Sequence, residues 1–307
     1  MQTLTIPIVN AFVDNGKGGN PAGIVLQADQ FDSATRQTIA NQLGLSETAF
    51  VSASSIADVK LEFFTPVRQI AQCGHATIAT FSYLAQKGLL TRTLSSMETV
   101  DGPRSISLDG DLAFMEQTAP VYTLPEQINS LNTTARLLDS LGLSSSDLID
   151  GLTPIVVNTG NSFLIVPLRS AEVVGRVIPD LAQVEEASEQ LGLVGYYLFA
   201  VEGQQPGRDA TTRMFAPYYG ISEESATGMA AGPLACYLYD YLGMKKETYL
   251  IEQGHLMQPS SPSLLTARLE LDNDTIVSLM VGGRAQVSHQ LEITLELTSG
   301  EPSGHVS

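Results

Sequence analysis

Glu47 is the side chain whose type and neighbours suit proton transfer. Glu47 follows the helix-stopping Gly44 and precedes an apolar run, with Leu45, Ala49 and Phe50 around it. A carboxyl group held among apolar side chains has its pKa raised, because desolvation disfavours the charged form. Such a group can take and return a proton near neutral pH. A glutamate in a turn is more commonly a solvated surface charge, so the flanking pattern alone leaves both readings open. His75 stands where an apolar helical pattern begins, and Cys73 lies two residues before it. On pattern alone, a single histidine there serves the core or caps the helix. A second stretch of similar make, Thr227-Gly228-Met229, opens another apolar pattern and follows Glu223 and Glu224. Other chemistries find no support. The run Gly16-Lys17-Gly18-Gly19-Asn20-Pro21 matches neither the P-loop nor the dinucleotide spacing and reads as turns. His75, His255, His289 and His305 are too dispersed for metal-ligand pairing. No serine has the context of a nucleophile elbow. Neither a metal nor a cofactor is expected.

Elements of regular structure must position these groups. Residues 4–12 and 22–26 read as a hairpin about a turn at 14–19. Ser33 caps a helix through Leu43, and 48–52 and 59–64 read as strands. Residues 73–89 form a helical pattern that is apolar nearly all round, through Ala76, Ile78, Ala79, Phe81, Tyr83, Leu84 and Ala85. A helix without a polar face is buried on every side. The second half repeats the layout: strands at 154–158 and 162–168, a helix at 181–191, and strands at 196–201 and 213–215. A second all-round apolar helix then spans about 228–242. The repeated order predicts an internal duplication, with each central helix wrapped by strands of its own half. The first N–H groups of a buried helix lack intrahelical partners, and about half a positive charge sits there. Two such ends meeting at a domain interface would offer donors to a carboxylate, unless Thr227 and loop groups cap them.

At 307 residues the chain is long enough for two domains of about 150 residues each. With 43% hydrophobic and 16% charged residues it can build sizeable cores. It carries 16 basic against 33 acidic side chains, a net charge of −17, and its longest basic run is Lys245-Lys246. Nucleic-acid binding needs a basic stripe, so that class is excluded. The same charge disfavours an anionic membrane surface, and an anionic substrate would have to be drawn in by local features. Two cysteines do not make a secreted disulfide scaffold. No apolar run reaches the roughly 18 residues of a membrane span, and the first residues lack a signal-peptide core. A cytoplasmic protein is expected.

Several segments stand in a characteristic order: Phe12 with Gly19-Asn20-Pro21-Ala22; Leu45-Ser46-Glu47-Thr48-Ala49-Phe50; Phe64-Thr65-Pro66; and Cys73-Gly74-His75-Ala76-Thr77. Arg213-Met214-Phe215-Ala216-Pro217, Glu223-Glu224-Ser225-Ala226-Thr227-Gly228 and Gln253-Gly254 continue the series. As a set, from about Leu4 to about Val287, they resemble the phenazine-biosynthesis isomerase-like family of the diaminopimelate-epimerase-like superfamily. That resemblance implies an α+β fold of two pseudo-symmetric domains, each a curved, mostly antiparallel sheet wrapped around a central helix. The domains would span 1–120 and 121–290, with 291–307 as a C-terminal extension. It implies a cofactor-free acid/base isomerase, assembled as a homodimer, acting on a small anionic substrate in the interdomain cleft. Glu47 then takes the position of the general acid/base, with His75 and Glu224 beside it as catalytic groups. Asn20, Cys73, Gly74, Thr227, Gly228 and Met229 take substrate-binding positions. Two positions depart from the family: Glu224 stands where Asp is common, and Met229 where Ser or another small residue is common. Related amino-acid epimerases pair two cysteines at the helix entries; here Thr227 matches Cys73 and the couple is incomplete. An epimerase working through Cys73, and a non-catalytic member that binds small acids, are the alternatives.

Overall fold

Runs rich in β-branched and aromatic residues become strands where the pattern predicts them, at Thr48–Ser52 and Val59–Phe64. The computed structural model describes residues 2–90, 92–100 and 102–295. The helix Ser33–Leu43 forms as expected, but Asp32 rather than Ser33 caps it, accepting the Thr35 N–H at 2.8 Å. Gly44 stops it at φ 65°, a left-handed conformation that glycine adopts without a Cβ clash.

Asn20–Val25 lies parallel to Thr48–Ser52, which is antiparallel to Val59–Phe64. Val59–Phe64 is parallel to Leu94–Thr99, and the helix Gly74–Gln86 connects them. An antiparallel run follows through Gly102–Asp109 and Leu112–Thr118, two strands that the periodicity did not single out. Leu112–Thr118 pairs with the long strand Thr275–Leu295, which pairs with Gln2–Ala11, which returns to Asn20–Val25. These strands close a mixed barrel. Gly74–Gln86 packs against strands from all round it and is buried from Gly74 to Leu84. Two hydroxyls inside this apolar shell are satisfied locally: Thr77 and Thr80 donate to the carbonyls of Cys73 and Ala76 at 2.8 and 2.7 Å.

In the second half Ile155–Asn158 is antiparallel to Ser162–Pro167, which is parallel to Gly195–Ala200, with the helix Leu181–Leu191 between. Gly195–Ala200 is antiparallel to Ala210–Ala216, which is parallel to Thr248–Gln253 across the helix Gly228–Asp240. Thr248–Gln253, Ser263–Asp272 and Thr275–Leu295 then run antiparallel. Gly228–Asp240 packs on strands from both ends of this series. It ends earlier than its apolar pattern, and Pro233 inside it cannot donate to the Met229 carbonyl.

Each central helix was expected to be wrapped by strands of its own half, and the last strand breaks that rule. Residues 278–284 pair with Leu112–Thr118, and residues 285–295 pair with Gln2–Ala11. The shared strand passes so close to its neighbour at Gly282 that a Cβ there would lie 2.0 Å from the Ala113 carbonyl oxygen. Residues 291–295, assigned above to a C-terminal extension, are the end of this strand, while 296–307 lie outside the described residues.

A buried ion cluster also joins the two halves. Asp14, 4% exposed, accepts Arg208 Nη2 at 2.8 Å, and Arg208 Nε lies 3.7 Å from Oε1 of the fully buried Glu252. The Gln205 N–H donates to Glu252 Oε1 at 3.1 Å, and His255 Nε2 lies 3.6 Å from Asp14 Oδ2. Among the described residues, no helix is long and apolar enough to cross a membrane.

Candidate functional site

The first turn of the helix Gly74–Gln86 meets the first turn of Gly228–Asp240, with the Met229 side chain seated over Gly74. A Cβ added at Gly74 would stand 3.1 Å from Met229 Cγ, and one added at Gly228 would stand 2.9 Å from Phe12 Cζ. Neither N-cap side chain, Cys73 or Thr227, bonds to its own helix. The Thr227 hydroxyl is donated to Glu224 instead, which sets aside the alternative that Thr227 caps the second helix.

Glu47 sits in the short connection before Thr48–Ser52, its carbonyl accepting the Gly23 N–H at 3.3 Å. It is 7% exposed, and its Oε2 makes no hydrogen bond. That oxygen lies 3.3 Å from His75 Nε2. His75 is 4% exposed, and its Nδ1 lies 3.5 Å from Glu224 Oε1 and 3.5 Å from Cys73 Sγ. The imidazole thus stands between two carboxylates that are distant in the chain. Glu224 is held from the first half: Asn20 Nδ2 donates to its Oε1 at 2.9 Å and to the Ala226 carbonyl at 3.0 Å. The extra methylene relative to Asp carries the Glu224 carboxylate to Asn20, Thr227 and His75 together.

Gln253 organises this corner, and residue spacing gave it no role; only its place in the Gln253-Gly254 segment marked it. Its Nε2 donates to the Glu224 carbonyl at 2.7 Å and to Thr227 Oγ1 at 3.1 Å. Its Oε1 accepts the Thr227 N–H and the Tyr197 hydroxyl, each at 3.0 Å. All four of its hydrogen-bonding capacities are used, so the entry to the second helix is fixed. Gln117, also unmarked in the sequence, donates to the Gly228 carbonyl at 3.1 Å and accepts the Thr159 hydroxyl at 2.7 Å.

A cavity of about 600 Å³ opens beside the helix entries, with Gln72, Arg104, Met115, Gln117 and Met229 among its walls. A cleft lined by Glu47 and His75 was expected, yet neither belongs to this cavity's walls. Met229 lines the cavity and lies over Gly74, filling space that a small residue would leave open.

Burial alone would lower the His75 pKa, but the negative groups around it (Cys73 when ionised, Glu224 and Glu47) outweigh burial and raise it well above 6.5. Burial pushes the Cys73 thiol up from 9.0, against the opposing pull of His75. With the Cys73 thiol neutral, the carboxyl oxygens of Glu47 and Glu224, at 3.3 and 3.5 Å, are what favour the charged imidazole. A histidine whose folded pKa is raised contributes stability that is complete below the unfolded value and lost as pH rises through the folded one. His75→Asn should accordingly lower the melting temperature most at about pH 6, with the gap to the wild type closing at alkaline pH. Thermal melts of both proteins across that range check it; a gap that widens with pH would contradict the charged state.

Donor atoms of Glu47, Cys73 and His75 all lie within 4.8 Å of one another, as do those of Asp14, Glu252 and His255.

With this geometry established, comparison with known proteins shows what the chain is similar to. The family model described as phenazine biosynthesis-like protein matches residues 9–290. The uncharacterized isomerase YfhB of Bacillus subtilis is 33% identical over 250 residues, covering 80% of this chain and 84% of that protein. The trans-2,3-dihydro-3-hydroxyanthranilate isomerase of Pseudomonas chlororaphis is 30% identical over 283 residues, covering 90% and 94%. The crystal structure of a Bacillus anthracis phenazine biosynthesis protein, PhzF family, superposes with a TM-score of 0.86 at 27% identity, covering 96% of this chain and 100% of that one.

Proposed function

This chain belongs to the phenazine biosynthesis-like protein family and is an isomerase, and from that premise we propose that it moves a proton within a small anionic carboxylate, with Glu47 carrying the proton. The observation that carries this reading is the Glu47 carboxylate: nine-tenths buried, without a hydrogen bond on Oε2, and 3.3 Å from the imidazole of His75. Its anionic form is the base. It takes a proton from a substrate carbon, and the electron pair left behind delocalises into the adjacent unsaturation and carboxylate. The same carboxyl group then returns the proton to a second carbon. One C–H bond breaks and another forms, with the Glu47 O–H bond made and broken between them, and no electrons leave the substrate, so this chemistry calls on no redox partner. His75, held as imidazolium between Glu47 and Glu224, stabilises the intermediate charge. The uncapped entries at Gly74 and Gly228 supply N–H donors and dipole for the substrate carboxylate, which lets a strongly acidic protein bind an acid. Asn20, Thr227 and Gln253 hold Glu224 in place rather than touching the reacting carbons.

The Pseudomonas relative acts on a dihydro-hydroxyanthranilate. Met229 puts a bulky apolar side chain at the helix entry, where the family resemblance implies Ser or another small residue, so we assign this chain a less polar cyclic or unsaturated carboxylate. The repeated order of pairing (parallel pair, buried helix, antiparallel run) supports two pseudo-symmetric domains over 1–120 and 121–290, joined by the shared last strand. A panel of cyclic and unsaturated carboxylates, screened by thermal shift, should yield ligands that incorporate deuterium from heavy water by NMR. Ligands that bind without any exchange would point instead to a binding protein.

A further inference from the structure

We propose that the cavity beside the helix entries receives a second carboxylate of the substrate, held there by Arg104, so that the substrate is a dicarboxylic acid. For the other end of the molecule this rests on the acid/base reading above. At about 600 Å³ the cavity falls within the roughly 300–1,000 Å³ of small-molecule sites. Three of its wall residues adjoin the helix entries. Gln72 directly precedes Cys73 and Gly74, Met229 follows Gly228 and lies over Gly74, and Gln117 donates to the Gly228 carbonyl at 3.1 Å. Arg104 belongs to the same wall.

Arg104 reaches the wall from the strand Gly102–Asp109. Ile106 and Leu108 share its face of that strand and are buried in the core, so Arg104 stands on the inward face where the core gives way to the cavity. Among the described residues, nine arginines lie within 4.0 Å of a carboxylate. Arg68 and Arg104 do not; Arg68 is exposed to water, whereas Arg104 is half-buried. Its guanidinium donates to the adjacent Pro103 carbonyl at 3.1 Å and to no other described residue. A cation withdrawn from water costs free energy until an anion meets it. In a chain with 33 acidic and 16 basic side chains, a guanidinium that the fold leaves unpaired points to an anion from outside. The acid of this wall, Glu116, is exposed on the opposite face of its strand from Met115 and Gln117. Gln117 adds a donor: it is 7% exposed, and its amide keeps a second N–H that no described residue accepts. The paired N–H groups of a guanidinium match the two oxygens of a carboxylate. Met229 Cγ and Met115 Cε, 3.1 and 3.8 Å from a Cβ built on Gly74, offer an apolar surface to the less polar middle of the substrate.

Calorimetric titration of the full-length protein with matched acids tests the subsite. The pairs are muconate against sorbate, and cyclohex-1-ene-1,4-dicarboxylate against 4-methylcyclohex-1-ene-1-carboxylate; in each monoacid a methyl group replaces the second carboxylate. At least one diacid should bind about tenfold or more tightly than its monoacid, the scale of a hydrogen bond to a charged group. It should bind at one molecule per chain and compete with the monoacid. Arg104→Gln should erase the preference while leaving the melting temperature and the monoacid's affinity unchanged, since the side chain bonds only to its neighbour's carbonyl. Arg104→Lys should keep part of it, because an ammonium retains the charge without the paired donors. Arg92→Gln removes the same charge from a side chain that is 80% exposed, and it should keep the whole preference. No preference for either diacid, a preference that survives in Arg104→Gln, or a diacid that binds without displacing its monoacid would overturn the proposal. A preferred diacid that takes up no deuterium from heavy water would leave the subsite standing and count against the proton-transfer reading alone. Deuterium uptake with the same KM in wild type and Arg104→Gln would do the reverse.

Discussion

Glu47→Gln lowers turnover by at least about a hundredfold and stops deuterium exchange into the product, while leaving folding and ligand binding nearly intact. Loss of a general acid/base typically costs about 10²–10⁴-fold in rate. The amide is close in size and shape to the carboxyl group but cannot accept or deliver a proton. Its fold is expected to survive because the amide fills the same space and Glu224 still faces the imidazole at 3.5 Å. Cys73→Ser should cost far less, because burial keeps the thiol protonated and no second thiol opposes it at Thr227. An epimerase working through Cys73 demands the opposite ranking, with Cys73→Ser inactive and Glu47→Gln mildly affected. Steady-state rates and exchange for both variants on one confirmed substrate decide between them. Near-normal turnover in Glu47→Gln would remove the central assignment.

Arg208→Ala should destabilise the fold by about 3–5 kcal/mol, the scale for removing one partner from a buried ion pair. Asp14 and Glu252 lose their guanidinium partner at 4% and 0% exposure, where water cannot replace it. Glu252 keeps N–H bonds from Gln204 and Gln205, which soften the loss without cancelling the charge. The cluster spans 194 residues of sequence between Arg208 and Asp14, so the variant loosens the contact between the halves as well as the local turn. Lys246→Ala is the control: its exposed pair with Asp209 should be worth about 0–1 kcal/mol. Urea melts monitored by circular dichroism give both values. A loss below about 1 kcal/mol for Arg208→Ala would show that the buried pair is compensated elsewhere.

Much of the site was legible because burial leaves a local trace. An apolar face on every side of 74–86 and 228–240 predicts helices enclosed by strands, and the structure encloses both. Gly44, needed for a left-handed stop, and the apolar strand after it bracket Glu47 whatever the rest of the chain does. Composition likewise set the acidic surface and excluded a basic nucleic-acid stripe, since charge counts need no fold.

What remained hidden depends on pairing between distant segments. Asn20 and Glu224 are 204 residues apart and meet only because strands from both halves converge on the helix entries. Their contact, the four bonds of Gln253 and the closeness of Cys73, His75 and Glu47 follow from strand register and side-chain direction, which periodicity does not encode. The last strand behaves similarly. Its alternation says only that one face is buried, whereas its partners, Leu112–Thr118 for one stretch and Gln2–Ala11 for the next, depend on where the barrel closes. Met229 reads in sequence as one apolar residue of a buried helix; only the structure shows that it lies over Gly74 and lines the neighbouring cavity. By itself the sequence determined which segments are buried and which side chains could move a proton. The tertiary structure alone decided which of them meet, because a contact across the chain depends on how the halves pack.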